Sequence, residues 1–118
     1  MNIEELRDYC LQKKGVEESF PFGNETLVFK VADKLFLLAG LNSKPFQFNV
    51  KCDPDKAIEL REKYSSVLPG YHMNKAHWNT IICDGSVSKK IIFSWVDDSY
   101  RLIVNSLPKS KRTDLSED

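Results

Sequence analysis

Phe46-Gln47-Phe48-Asn49-Val50-Lys51, running into Cys52-Asp53-Pro54, carries the clearest period-two signal in the chain. On an extended backbone Phe46, Phe48 and Val50 point one way and Gln47, Asn49 and Lys51 the other. A strand with one apolar and one polar side belongs to an antiparallel sheet, packed on one face and wet on the other. Asp53-Pro54 ends it, because Asp is a good helix N-cap and Pro fits the first helical position. The reading is therefore a strand over 45–52 followed by a helix over 54–65. In that helix Ala57, Leu60 and Tyr64 form the buried stripe, with Ile58 on its flank. Glu59 and Lys63 make an i,i+4 pair on the exposed side.

Upstream, residues 25–31 alternate and are β-prone, residues 34–41 form a second strand, and Ala32-Asp33 sits at the tip between them. The 34–41 strand is apolar at nearly every position, which predicts a place inside the sheet, not at its edge. Asn2 and Glu5 have capping-box spacing, and Ile3, Leu6 and Cys10 follow at helical spacing. Gly15, after Lys13 and Lys14, is expected to end a first helix over 2–14. Residues 16–23 read as a loop. Its Phe20-Pro21-Phe22-Gly23 stretch reads as two rings plugging the edge of the core.

Downstream, the stretch Pro69 to Thr80 holds both histidines and one of the two tryptophans. Pro-Gly breaks regular structure there. The following Tyr, His, Asn, Lys and Trp form either a recognition surface or an irregular packed corner. A fourth strand over 77–83 and an Asp84-Gly85 turn lead to Ser88, the cap of a last helix over 89–107. Ile91, Ile92, Trp95, Val96, Ser99, Leu102, Ile103 and Leu107 form its apolar arc, and Asp97, Asp98, Arg101 and Asn105 its wet side. Pro108 ends the domain, leaving residues 109–118 as a charged, frayed tail. The order α-β-β-β-α-β-α predicts a two-layer α+β sandwich, with an antiparallel sheet covered on one face by helices.

A chain of 118 residues with 42% hydrophobic content is one domain with a real core. Its 17 basic residues balance 17 acidic ones, which argues against a strongly basic nucleic-acid binder but leaves a local patch open. The three cysteines are far apart and form no CxxC, so neither a disulfide framework nor a zinc knuckle is expected. Met1-Asn2-Ile3-Glu4-Glu5 is not the start of a signal peptide, and the apolar run Leu35–Ala39 is too short to cross a membrane. These features predict a cytoplasmic, reduced protein. No phosphate-loop or dinucleotide motif is present. Cys52 or Cys83 with His72 or His77 has no local nucleophile–base signature, and the two histidines have no partner at metal-ligand spacing. No catalysis, metal or cofactor is expected.

Several pieces together resemble the MmcQ/YjbR-like family. They are Phe20-Pro21-Phe22-Gly23, Val28-Phe29-Lys30-Val31, Asn49 to Pro54, Pro69 to Lys75, His77-Trp78-Asn79-Thr80, Ser99-Tyr100 and Leu107-Pro108. The likeness covers about residues 2–112. It implies a CyaY-like, frataxin-type fold and a non-enzymatic DNA-binding role through a double-wing arrangement of the sheet. Namesakes of that fold bind iron on an acidic first helix. Here Arg7, Lys13 and Lys14 offset Glu4, Glu5 and Asp8, so no iron site is expected. The nucleic-acid surface expected here joins Lys30, Lys51 and Lys75 for phosphate with Asn49, His72, Asn74, His77 and Trp78 for bases. A module binding a protein or a small molecule, or a weak homo-oligomer, is the alternative. A positive stripe on the open sheet face would favour DNA. A pocket ringed by His72, Asn74 and Trp78 would favour a small ligand, and an apolar patch a protein.

Overall fold

A computed structural model describes residues 1–115. Its elements are α1 (Ile3–Leu11), β1 (Val16–Ser19), β2 (Thr26–Val31), β3 (Lys34–Gly40), β4 (Gln47–Lys51), α2 (Pro54–Lys63), β5 (Val67–Pro69), β6 (Trp78–Ile82), α3 (Lys89–Asn105) and α4 (Lys109–Leu115). All six strands form one antiparallel sheet in the order β1-β2-β3-β4-β6-β5. The helices cover one face, so the two-layer α+β arrangement is as expected. The apolar strand β3 lies inside the sheet, and Phe48 and Val50 are buried in the core.

Two strands were not expected. Val16–Ser19 carries two glutamates and no run of alternating apolar residues. It is an edge strand, where charged side chains are tolerated and guard the edge. Glu18 faces α1 and accepts from Arg7 Nε at 2.7 Å. Val67–Pro69 is too short to show a period, and its proline is compatible with the opposite edge. The first helix also stops at Leu11, not at residue 14. Gly15, at φ +77°, makes the turn into β1 instead of capping the helix.

The C-terminal end differs as well. α3 ends at Asn105, and Pro108 opens a further helix, its carbonyl accepting from Lys111 N at 3.0 Å and Arg112 N at 3.1 Å. The expected tail is thus helical over Lys109–Leu115, and Leu115 packs against the core. The rest of that tail, 116–118, lies outside the described residues. Ile91 and Ile58 are exposed, so the apolar stripes of α3 and α2 are narrower than expected. Trp95 is buried, with Tyr64 edge-on at 5.2 Å.

One irregularity decides how the sheet presents its faces. Phe29 pairs with Leu37 and Lys30 with Leu35, so Phe36 is an extra residue in β3. At such a bulge two successive side chains share a face. Phe36 and Leu37 both enter the core, while Leu35 and Leu38 both lie on the open face. The bulge also interrupts the ladder to β4. Ser99 of α3 fills the gap: Lys51 N donates to its Oγ at 2.8 Å, and the Ser99 hydroxyl donates to Phe36 O at 2.5 Å.

Ser99→Ala removes the partner of both backbone groups. Each buried group left unpaired costs about 1–3 kcal/mol. Denaturant unfolding is expected to show a loss of about 2–4 kcal/mol for this one-atom change. A loss under about 0.5 kcal/mol, the ordinary surface value, would contradict the bridging role.

Candidate functional site

Alternation places Thr26, Val28 and Lys30 of β2, Gln47, Asn49 and Lys51 of β4, and Trp78 and Thr80 of β6 on the face away from the helices. Two loops stand on this face. The β1–β2 loop carries Phe20 and Phe22, and the β5–β6 loop carries Tyr71, His72 and Met73. Between them lies a cleft of about 540 Å³. Leu35, Leu38, Gln47 and Asn49 form its floor, and Phe22, Thr26, Tyr71, His72 and Met73 its sides. No Asp, Glu, Lys or Arg is among the described residues that line it.

The second loop is held by polar contacts on both sides. On the open face Asn49 Nδ2 donates to Tyr71 O at 3.1 Å, Tyr71 N donates to Thr80 Oγ1 at 3.0 Å, and the Thr80 hydroxyl donates to Asn49 Oδ1. From the helix side Arg61 of α2 donates to Asn79 Oδ1 at 2.7 Å, to Trp78 O at 3.2 Å and to Lys75 O. Gly70 lets the strands meet closely: a Cβ there would fall 2.7 Å from Trp78 Cβ and 2.9 Å from its carbonyl oxygen. His72 adopts φ +59°, the left-handed region that costs a non-glycine residue about 1–2 kcal/mol. Its ring lies 4.0 Å from that of Tyr71.

The residues expected to form one nucleic-acid surface divide into three groups. Asn49 and His72 line the cleft. Lys30 and Lys51 share its face but lie outside it; Lys30 is opposite Glu17 and Leu35, and Lys51 is opposite Trp78. The others serve the loop itself. Asn74 Oδ1 accepts from Ala76 N at 2.9 Å, and Lys75 Nζ donates to Gly70 O at 3.0 Å. The His77 carbonyl accepts from Cys52 N at 2.8 Å. Trp78 is 9% exposed and so offers no ring for stacking. Exposed aromatic rings that do line the cleft are Phe22 at 65% and Tyr71 at 64%. Gln47, Thr26, Leu35 and Leu38 were not expected in a site. Gln47 shares the polar series of Asn49 and Lys51, and that was its one signal in the sequence.

The YjbR family model matches residues 11–102. The chain is 40% identical over 113 residues to Escherichia coli K12 protein YjbR, covering 95% of each. The chain belongs to the YjbR family. The YbdF protein of Escherichia coli O157:H7 is 37% identical over 107 residues, covering 90% of this chain and 87% of YbdF. Among solved structures, a Deinococcus radiodurans protein superposes with a TM-score of 0.92 at 34% identity, covering 97% of this chain and 87% of that one. A Pseudomonas syringae protein superposes with a TM-score of 0.74 at 29% identity, covering 86% and 98%.

In this YjbR-family chain the thiols sit in environments that disfavour the reactive thiolate. Burial pushes Cys10 up to about 12 and Cys83 up to about 11. Cys52 is also raised by burial, although Lys56 beside it pulls the other way. A thiol so raised stays protonated near neutral pH and is a poor nucleophile. Among the described residues no helix is long and apolar enough to cross a membrane.

Arg61→Met keeps most of the apolar stem but leaves buried Asn79 Oδ1 and the Lys75 carbonyl without their donor, while Trp78 O keeps Gly70 N at 2.9 Å. The expected cost is about 2–3 kcal/mol, with faster amide exchange over 70–79 than elsewhere. Wild-type exchange in that segment would show that the loop is held without Arg61.

Proposed function

We propose that this chain is a non-enzymatic binding module, and that the cleft on its open sheet face takes a flat, largely apolar small ligand. The observation that carries this reading is the cleft itself. Its volume lies within the range of about 300–1,000 Å³ usual for small-molecule sites. Its composition, mostly apolar and aromatic with a few amide and hydroxyl groups, is also that of such sites. The strained His72 and the bonded Asn49–Thr80–Tyr71 set support it, because strain persists where surrounding structure holds a loop in a defined pose. The finer fold we infer is the frataxin type. It is supported by α1 and α3 lying side by side on one sheet face, joined by Tyr9–Phe93 stacking at 4.0 Å and by Tyr9 Oη donating to Asp97. A cytoplasmic setting goes with this reading, since the three cysteines are unpaired.

A screen of small aromatic fragments by amide and methyl NMR tests the cleft. Hits are expected to move the signals of Leu35, Leu38, Gln47 and His72. Leu38→Arg, which puts a charge on the cleft floor, is expected to weaken them about tenfold or more, because a charge is costly to bury beside an apolar ligand. Phe22→Ser, on an exposed side chain, is the second variant. Hits that bypass the cleft, or that neither variant weakens, would refute this reading.

A second reading, DNA binding across the same face, is favoured by the placing of Lys30 and Lys51 beside the cleft. Each phosphate contact adds about one unit to the slope of log affinity against log salt. Fluorescence anisotropy with labelled DNA over a salt series is expected to show a slope flattened by about one in Lys51→Ala. Equal slopes in wild type and variant would remove Lys51 from the interface.

A further inference from the structure

The cleft floor carries a polar group with nothing to bind. Among the described residues the Gln47 backbone N donates to Ser43 Oγ at 3.1 Å, while its carboxamide makes no hydrogen bond. Asn49, two residues along the same face, is already committed to Tyr71 and Thr80. Gln47 thus presents a free donor and a free acceptor side by side in an otherwise apolar cleft. A ligand that covers this amide must satisfy both, since a polar group buried without a partner costs about 1–3 kcal/mol.

We propose that the ligand of this cleft is a nucleobase, lying against the Phe22 and Tyr71 rings and paired along its edge with the Gln47 carboxamide. The proposal rests on the cleft being the binding site. The class follows from three constraints acting together. Aromatic side chains favour a planar ring that can stack on them. The Gln47 amide requires adjacent donor and acceptor atoms on the ring edge, as the N6–N7 edge of adenine supplies. The absence of Asp, Glu, Lys and Arg from the described lining favours a neutral body. A phosphate would stay outside, and Lys30, opposite Leu35 in the ladder, lies at the end where it would emerge. The base has two possible sources, a free nucleoside or nucleotide and an unpaired base of a nucleic-acid strand.

Titration of the full chain with adenosine, guanosine, cytidine, uridine and indole, followed by amide NMR, tests this. Indole is planar but lacks an adjacent donor–acceptor edge. At least one nucleoside is expected to shift the Gln47 side-chain amide and His72 saturably. Gln47→Leu is expected to weaken that nucleoside about tenfold or more while leaving indole unchanged, the discrimination a bidentate amide contact supplies. The variant's own spectrum reports whether it is folded, and Gln47→Glu, of the same size, is the companion should it not be. If indole enters the cleft and no nucleoside does, the cleft stands and the nucleobase proposal falls. If neither enters, both fall. Nucleoside binding that Gln47→Leu does not weaken also overturns the proposal. A short single-stranded oligonucleotide, measured beside the matching nucleoside monophosphate, separates the sources. Tighter binding of the strand with a salt slope that Lys30→Ala or Lys51→Ala flattens marks a strand; equal affinities mark the free compound.

Discussion

The hydroxyl of Ser99 joins two strands that cannot otherwise bond to each other at that point. It takes the Lys51 amide proton and gives its own to the Phe36 carbonyl, from a helix that crosses the sheet. Both backbone groups lie where water does not reach easily, and a buried backbone group must be paired somewhere. With that bridge the β3 bulge is affordable, and the bulge sets the rest. It sends Phe36 and Leu37 together into the core and leaves Leu35 and Leu38 together outside. In a regular strand Leu35 and Leu37 would share a face, and the open side would lose part of its apolar floor. The core and the cleft therefore come from the same local irregularity.

The loop beside the cleft follows a similar logic. Its backbone has little regular pairing of its own, so it borrows partners from both sheet faces. Asn49 and Thr80 hold it from one side, and Arg61 with Asn79 from the other. Arg61 suits this place because its planar fork donates in several fixed directions at once. Asn79 is almost fully buried yet faces α2, where Arg61 meets its oxygen. With the loop so tied, the His72 backbone strain is borne by the surrounding structure. The Tyr71 and His72 rings beside the cleft are then presented in a defined arrangement.

Charge is distributed so that it stays out of the cleft. Much of it is paired at the helices, as in Arg7 with Glu18, Lys13 with Asp97, and Lys56 and Arg101 with Asp98. Such surface pairs add little stability individually. Here they tie charges of α1, α2 and α3 to neighbours on the helical side, while Lys30 and Lys51 stand on the opposite face. On that face Lys30 has Glu17 opposite it and Lys51 has Trp78, so the charges stand beside the uncharged cleft and not in it.

Local rules determined much of this protein from the sequence alone. Period-two alternation gave the facing of β4, Asp53-Pro54 and Ser88 gave helix starts, and the apolar run of residues 34–41 gave an interior strand. Each is a short-range property of the chain, set by side-chain geometry and capping. The family likeness was legible too, because its residues lie in contiguous stretches. The two edge strands were not legible, since a short strand bonded on one side needs no apolar period to hold it. The site was legible only in part, through Asn49 and His72. Phe22 and Tyr71 lie almost fifty residues apart in the chain, and only the sheet brings their loops to one cleft. The sequence also could not tell that Trp78 is covered, that Lys75 bonds its own loop, or that Gln47 is left unpaired. Whether a polar side chain is spent or free depends on partners distant in sequence, and only the tertiary structure decides which groups meet.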